Sequence, residues 1–327
     1  MKKLLMVFGI LLISAIVLSA CQQAPAPTAV SEEGEAMLKV AMVLPGLKTD
    51  EAFNQFTYEG MVRAAEDCGI EFAYTEEVAQ DEQLEVVRQF AQEGNDIVIG
   101  QGGQFGESIM TVAQEYPEQD FVFSIATDTG GIPNVTAATV SYRHPGYIAG
   151  VMACNMTKNN KIAVVTGEWY DPQKQMLEGF EKGAQTCGKD VEVSSVATGS
   201  WSDVNKAREA TLALIADGND VVMPWLDAAY VGVLTAAQDS EGVLVVGSVI
   251  DMAPVAPEVV VGSVLVNFEE LGYQEACGNL RDGKVHVLGM AEGGTDFVMN
   301  DLLSAEGKAA VENAIAGLKS GELGIDP

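Results

Sequence analysis

Aromatic rings placed where strands end are the residues of this chain with chemistry to offer. All three tryptophans stand where an apolar run gives way to a helical pattern: Trp169 after "KIAVVTG" and beside Tyr170, Trp201 in "TGSWSD", and Trp225 after "DVVMP". A ring serving only the core would more naturally sit inside an element. A ring at the mouth of a cleft can stack on a planar ligand, worth about 1–3 kcal/mol per base-like partner. Loop packing competes with that reading for each tryptophan alone, and cleft lining is favoured for the set. Phe53 and Asn54 occupy the same kind of place in "VLPGLKTDEAFNQ", where the chain turns through Pro45 and Gly46 and a helical pattern starts at Thr49 or Asp50. Phe53 also opens a stripe running through Phe56, Thr57, Gly60, Met61, Ala64 and Cys68. A core or staple role therefore stands beside the ligand role.

Catalysis finds little support. The only two histidines are His144, beside Pro145, and His286, in "KVHVLG". Neither belongs to a nucleophile motif with a serine or cysteine, and both read as structural or surface residues. The chain holds 47 acidic residues, so their number is no evidence of an acid/base pair. "IGQGGQFGES" fails the dinucleotide spacing, because Phe105 stands where the third glycine belongs. A tight glycine turn competes there with a weaker role, in which Gln101 and nearby backbone N–H groups meet a polar ligand atom. No Cys/His cluster suggests a metal, and no cofactor or catalytic residue is expected.

The elements that would position these residues follow from the pattern. From Leu38 onward, short apolar runs alternate with amphipathic helices. The runs "LKVAMVL", "IEFAY", "DIVIG", "FVFSIA" and "VTAATV" form one series, and "KIAVVTG", "VEVSSVA", "DVVMPW" and "VLVVGSVI" form a second. A last run, "VVVGSVLV", precedes a helical stretch near 267–282, and the tail carries another near 305–319. Strands buried on both faces with crossover helices make parallel sheets, which bind ligands beyond their carboxyl ends. The expected fold is α/β and two-lobed, each lobe a parallel sheet flanked by helices. Asp50 to Asn54, Gln101, Trp169, Trp201, Trp225 to Asp227 and Asp251 all follow strands, and so become ligand-binding candidates.

The start of the chain sets the compartment. Lys2 and Lys3, an apolar run from Leu4 to Leu18 and the ending "LSAC" read as a secretory signal. Leu18-Ser19-Ala20-Cys21 resembles the lipobox of bacterial lipoproteins, with Cys21 lipidated after cleavage; an uncleaved anchor is the alternative. Either arrangement leaves the rest outside the cytoplasm. The next stretch, "QQAPAPTAVSEEGEA", lacks an apolar period and reads as a tether. Residues 1–20 are thus assigned to the signal and 21–36 to the lipidated tether. Residues 37–142 with about 267–283 make an N-terminal lobe, and 143–266 with part of 284–327 make a C-terminal lobe. With 18 basic residues against 47 acidic ones the formal net charge is −29, and loss of the leader would remove two of the bases. Such a surface argues against nucleic acid, which needs basic clusters. Beyond Cys21, a Cys154–Cys187 disulfide is weighed against four buried free thiols, the others being Cys68 and Cys277.

The order of motifs resembles the basic membrane protein family, lipoprotein substrate-binding components of ABC transporters that include purine nucleoside receptors. The resemblance rests on "DEAFNQFTYEG", "AQEYPEQDF", "GYIAGVMA", "LEGFEKGAQ", "TGSWSD" and "GNDVV" with "GVLTAAQ". It implies a type I periplasmic-binding-protein fold, a monomer partnered by an ABC permease, and a purine nucleoside or base as ligand. It further implies a base stacked between Phe53 and Trp201, with Asn54 and Asp251 bonding the ligand. Three departures stand out: Asp227 to Tyr230 replace a glycine-rich loop, Val249 replaces the first aspartate of Gly-x-Asp-x-Asp, and Val266 or Asn267 replaces a lysine that helps hold the ribose. Other readings are a ligand sensor or interaction lipoprotein without a transport role, a binding protein for a non-purine planar ligand, and an extracytoplasmic hydrolase, for which the sequence supplies no nucleophile and base.

Overall fold

A computed structural model describes residues 37–50 and 53–327. The signal, tether and Cys21 assignments lie outside the described residues. The first series comprises β1 (Lys39–Val43), α1 (Phe53–Asp67), β2 (Glu71–Thr75), α2 (Gln83–Gln92), β3 (Ile97–Gln101), α3 (Gly106–Glu115), β4 (Asp120–Ser124) and β5 (Val135–Val140). The second comprises α4 (Arg143–Met156), β6 (Lys161–Thr166), α5 (Asp171–Ala184), β7 (Glu192–Ala197), α6 (Val204–Ala216), β8 (Val221–Trp225), α7 (Tyr230–Gln238), β9 (Leu244–Val249) and β10 (Val260–Val266). The chain ends with α8 (Phe268–Ala276), β11 (Val285–Leu288), β12 (Thr295–Met299) and α9 (Ala305–Ser320).

Two six-stranded sheets result, ordered β11-β5-β4-β3-β1-β2 and β12-β10-β9-β8-β6-β7. All pairings are parallel except β10 with β12. Alternation along the buried strands explains their unbroken apolar character. Val40, Met42 and Leu44 pack on one face with Met61 and Ala64 of α1. Ala41 and Val43 pack on the other with Val87 and Phe90 of α2. In the second sheet Ile162 and Val164 divide in the same way from Ala163 and Val165. Full burial of each larger aliphatic side chain contributes about 1.5–3 kcal/mol.

The last third of the chain departs most from its sequence pattern. Neither β11 nor β12 stands out as a strand in the sequence: the first pairs with β5 and the second with β10, on different sheets. The chain thus passes between the sheets three times, at Ser141–Tyr142, at Asn267 and at 289–294. These crossings are laced together. The Ser141 N–H donates to the Leu288 carbonyl at 2.8 Å, and the Asn267 N–H to the Gly294 carbonyl at 3.0 Å. His144 is buried behind them; its Nδ1 accepts from the Met290 N–H at 3.0 Å, so Nε2 carries the proton and donates to the Ile325 carbonyl at 3.0 Å.

The cysteines correct the sequence expectation. Cys68, after α1, is bonded to Cys277, after α8, with Cα atoms 5.7 Å apart, while Cys154 and Cys187 are free thiols. Burial, with the Cys187 thiol beside it, pushes Cys154 up to about 12. Spacing along the chain conceals the real pair because α1 and α8 come from opposite ends of the sequence. Gly60 is what lets them run so close: a Cβ there would stand 2.2 Å from the Glu269 carbonyl oxygen.

Candidate functional site

In each sheet the strand order reverses beside one strand, β1 in the first and β6 in the second, where connections leave on opposite sides and open a crevice. Phe53 follows β1, Trp201 follows β7 and Trp225 closes β8. Asp50 fixes the first of these. Its carboxylate accepts from the backbone N–H groups of Asn54 (3.1 Å) and Gln55 (3.0 Å) and from the Asn54 side-chain amide (2.7 Å). Asp50 is thus a cap for the turn that carries Phe53 and Asn54, satisfying donors that the start of a helix leaves unpaired. Asn54 is buried, and its Oδ1 has no hydrogen-bond partner.

Phe53 and Trp201 line one cavity of about 310 Å³, together with Tyr142, Trp225 and Phe268. Gln173, Leu226, Asp227 and Val249 complete its wall. The rings stand at varied angles: Phe53 meets Phe268 edge to face with centroids 5.2 Å apart, and Tyr142 is tilted 59° to Trp225 at 6.0 Å. Trp201 lies nearly parallel to Tyr170, at 17° and 6.4 Å. Its indole rests on Gly167, where a Cβ would stand 2.4 Å from the ring. Burial raises the Asp227 carboxyl above the ordinary carboxylate range, and the Asp50 charge adds to the effect. The two carboxyl groups therefore sense each other although one follows β1 and the other β8. Burial likewise pushes the Tyr142 phenol up to about 12.

A second cavity of about 350 Å³ adjoins the first. Asp251 lines it, with Phe56, Leu265, Val266 and Asn267, and both Val249 and Phe268 line the two cavities in common. The remaining sequence candidates lie behind or beside these walls. Gln101 is fully buried and donates through Nε2 to Thr57 Oγ1 at 2.7 Å, under the first turns of α1. Trp169 is half-buried and is not among the residues lining either cavity. A larger depression of about 470 Å³ lies elsewhere, at Glu178, Glu181 and Lys182 of α5 with Val193 of β7. It has no aromatic ring and opens on the outer surface, so it is not a comparable site.

Sequence reasoning overlooked Tyr142, Gln173 and Phe268. Phe268 directly follows a strand and the helix cap Asn267, the same signal that marked Phe53. Tyr142 sits at a crossing between the sheets, and Gln173 in the first turn of α5; neither has a mark in the sequence alone.

Residues 37–316 match the family model described as "Bmp: ABC transporter substrate-binding protein PnrA-like". The chain belongs to this family. It is a substrate-binding protein of the ABC-transporter type, extracytoplasmic as a class, with a small-molecule ligand and an ABC permease as the partners that class implies. Among its relatives, the transcriptional activator protein med of Bacillus subtilis is 27% identical over 82% of this chain and 80% of its own length. The ABC transporter nucleoside-binding protein BmpA of Lactococcus lactis is also 27% identical, over 72% of this chain and 68% of its own. A solute-binding protein of an ABC transporter from Aeropyrum pernix shares the fold, with a TM-score of 0.70 at 19% identity over 87% of this chain and 92% of that one. A transcriptional activator of the comK gene from Bacillus halodurans superposes with a TM-score of 0.74 at 21% identity, over 86% and 97% of the two chains. Among the described residues, no helix is long and apolar enough to cross a membrane, and no cluster of three or more His, Cys, Asp or Glu side chains could hold a metal.

Proposed function

We propose that this protein is the lipid-anchored substrate-binding component of an ABC importer, and that its two lobes close on a purine nucleoside or purine base. One observation carries the reading: Phe53 from the first lobe and Trp201 from the second line the same cavity, at the strand ends where such sheets take ligands. Planar heterocycles are the ligands that rings on both walls can hold by stacking. The nucleoside-binding relative from Lactococcus lactis supports the same ligand class. Cys21 would tether the protein, and the stretch to Ala36 would give it reach.

A thermal-shift panel of nucleosides, nucleobases, sugars and amino acids tests the ligand class. A rise in unfolding temperature with purines is expected, and none with any purine would sink the reading. The anchor is tested by expressing Cys21→Ser in a bacterial host; the wild-type protein should partition with membranes and the variant should not.

A second reading has its own support. Two relatives of this fold are described as transcriptional activators, so a ligand-sensing role without transport is the alternative. Deleting a genetically linked permease and following uptake of labelled purine separates the two: uptake that persists unchanged supports the sensor.

A further inference from the structure

Gln173 stands where a glutamine ordinarily serves its own helix. Tyr170 is the N-cap of α5, so Gln173 is the third residue of that helix. A glutamine there commonly reaches back to the N–H of the capping residue and closes a capping box. No such bond forms: Gln173 is buried, at 8% exposed, and its Oε1 has no hydrogen-bond partner among the described residues. The box is incomplete from the other side too, because the Tyr170 side chain makes no cap bond. Buried polar groups are ordinarily paired, so an orphan in a cavity wall calls for a partner from outside the chain.

The cavity that Gln173 lines is the one walled by Phe53, Tyr142, Trp201, Trp225 and Phe268. Among the described residues lining it, Gln173 alone has a side-chain acceptor that is both buried and unpartnered. The Tyr142 hydroxyl is already engaged with Thr139. Asp227 is exposed to water, which competes for its carboxylate. The two indoles donate and do not accept. The loop before α5 also seats a stacking ring: Trp201 rests on Gly167 and lies nearly parallel to Tyr170. One short segment, 167–173, therefore carries both the seat of that ring and the unpartnered carboxamide.

A ring stacked through its faces has only its edge left for hydrogen bonds, and buried edge atoms without partners oppose binding. Resting on the purine reading above, we propose that Gln173 reads that edge, and that the ligand is a purine with a hydrogen-bond donor and an acceptor side by side at N1 and C6. A carboxamide offers one acceptor and two donors in a plane, the pattern by which glutamine bonds two neighbouring groups of adenine. Oε1 accepts from the ligand's N–H, and Nε2 donates to the neighbouring ring nitrogen or carbonyl. Turning the amide exchanges its two ends, so 6-amino and 6-oxo purines both fit. An unsubstituted purine lacks the donor at C6, and methylation at N1 removes it from hypoxanthine and guanine.

Titration calorimetry on the ligand-stripped protein tests this with adenine, guanine, hypoxanthine, unsubstituted purine, 1-methylguanine and 1-methylhypoxanthine, each as the free base and as the riboside. In whichever form binds, adenine is expected to exceed unsubstituted purine, and each oxopurine its 1-methyl form, by at least about tenfold in affinity. Gln173→Met keeps the apolar stem and removes the buried polar group. It should unfold without ligand at the wild-type temperature or above, and lose most of these preferences. Unsubstituted purine binding the wild type as tightly as adenine, or a 1-methyl form as tightly as its parent, would overturn the inference and leave the purine reading intact. Unchanged preferences in a folded Gln173→Met would overturn the assignment to Gln173, and a Gln173→Met that unfolds well below wild type would show that the carboxamide serves the fold instead. Binding of none of the six, in either form, would overturn the purine reading and this inference with it.

Discussion

Phe53 and Phe268 meet edge to face, with ring centroids 5.2 Å apart, at the first residues of α1 and α8. The contact joins the first crossover helix to the segment that returns from the second sheet, and both rings face the same cavity. Along the same pair of helices, Arg63 bonds Glu269 at 2.7 Å, stacks its guanidinium 4.0 Å over Tyr273, and is followed by the Cys68–Cys277 disulfide. The Phe53 ring thus stands on a helix pair held together by contacts remote in sequence.

Removing one stacking ring should be costly. Phe53→Ala and Trp201→Ala are each expected to weaken purine binding about ten- to a hundredfold, in line with about 1–3 kcal/mol per stacked ring. Asp227→Ala should cost less. Calorimetric titration checks the order, and equal losses at Asp227 would place a polar or cationic part of the ligand on its carboxyl.

Gly167 should behave as a binding residue although it has no side chain to offer. A Cβ at Gly167→Ala would stand 2.4 Å from the Trp201 indole, which must then shift. Affinity for purine should fall about tenfold or more, as expected when a stacking ring leaves its place. The circular dichroism of the variant should match wild type, and its tryptophan emission should move.

The disulfide should stabilise the first lobe. Cys68→Ser, or reduction, is expected to lower stability by about 2–5 kcal/mol, because the bond closes a long loop in the unfolded chain. Thermal unfolding with and without reductant measures this. A thiol titration under denaturing conditions without reductant should find Cys154 and Cys187 reactive and Cys68 and Cys277 unreactive.

His144 should make stability depend on acid. Burial holds its pKa below the ordinary 6.5, so the unfolded chain takes up the proton first. Stability is therefore complete above about 6.5 and is lost as pH falls through that value and toward the folded pKa. Chemical denaturation from pH 8 to pH 5 should show the decline, and His144→Asn should flatten it even if its baseline is lower.

Glu275 should act in the opposite sense. It is fully buried, neither carboxyl oxygen has a hydrogen-bond partner among the described residues, and burial pushes its pKa from 4.5 up to about 8. The folded protein holds this proton more tightly than the unfolded chain, so the contribution is full below 4.5 and is lost as pH rises toward 8. Glu275→Gln keeps the shape and has no charge to desolvate. At pH 8 it should unfold at least about 2–4 °C higher than wild type, with the gain shrinking at pH 5.

The α/β class, the two series of strands, most helices and the family were legible in the sequence, because apolar runs and helical periods are local properties. Phe53, Trp201 and Trp225 were also legible as strand-end rings, and the fold brings those three to one cavity. Phe268, Tyr142 and Gln173 were not, since each joins the site only when a distant segment is brought beside it. The same holds for the Cys68–Cys277 pair and for β11 and β12, short strands whose patterns are too brief to show a period. By itself the sequence determined which segments would be buried, since hydrophobic period is written residue by residue. Only the tertiary structure decided which rings share a wall, that Asp50 caps its own helix, and that Gln173 lines that wall with its Oε1 unpartnered, because these depend on contacts set by packing across the whole chain.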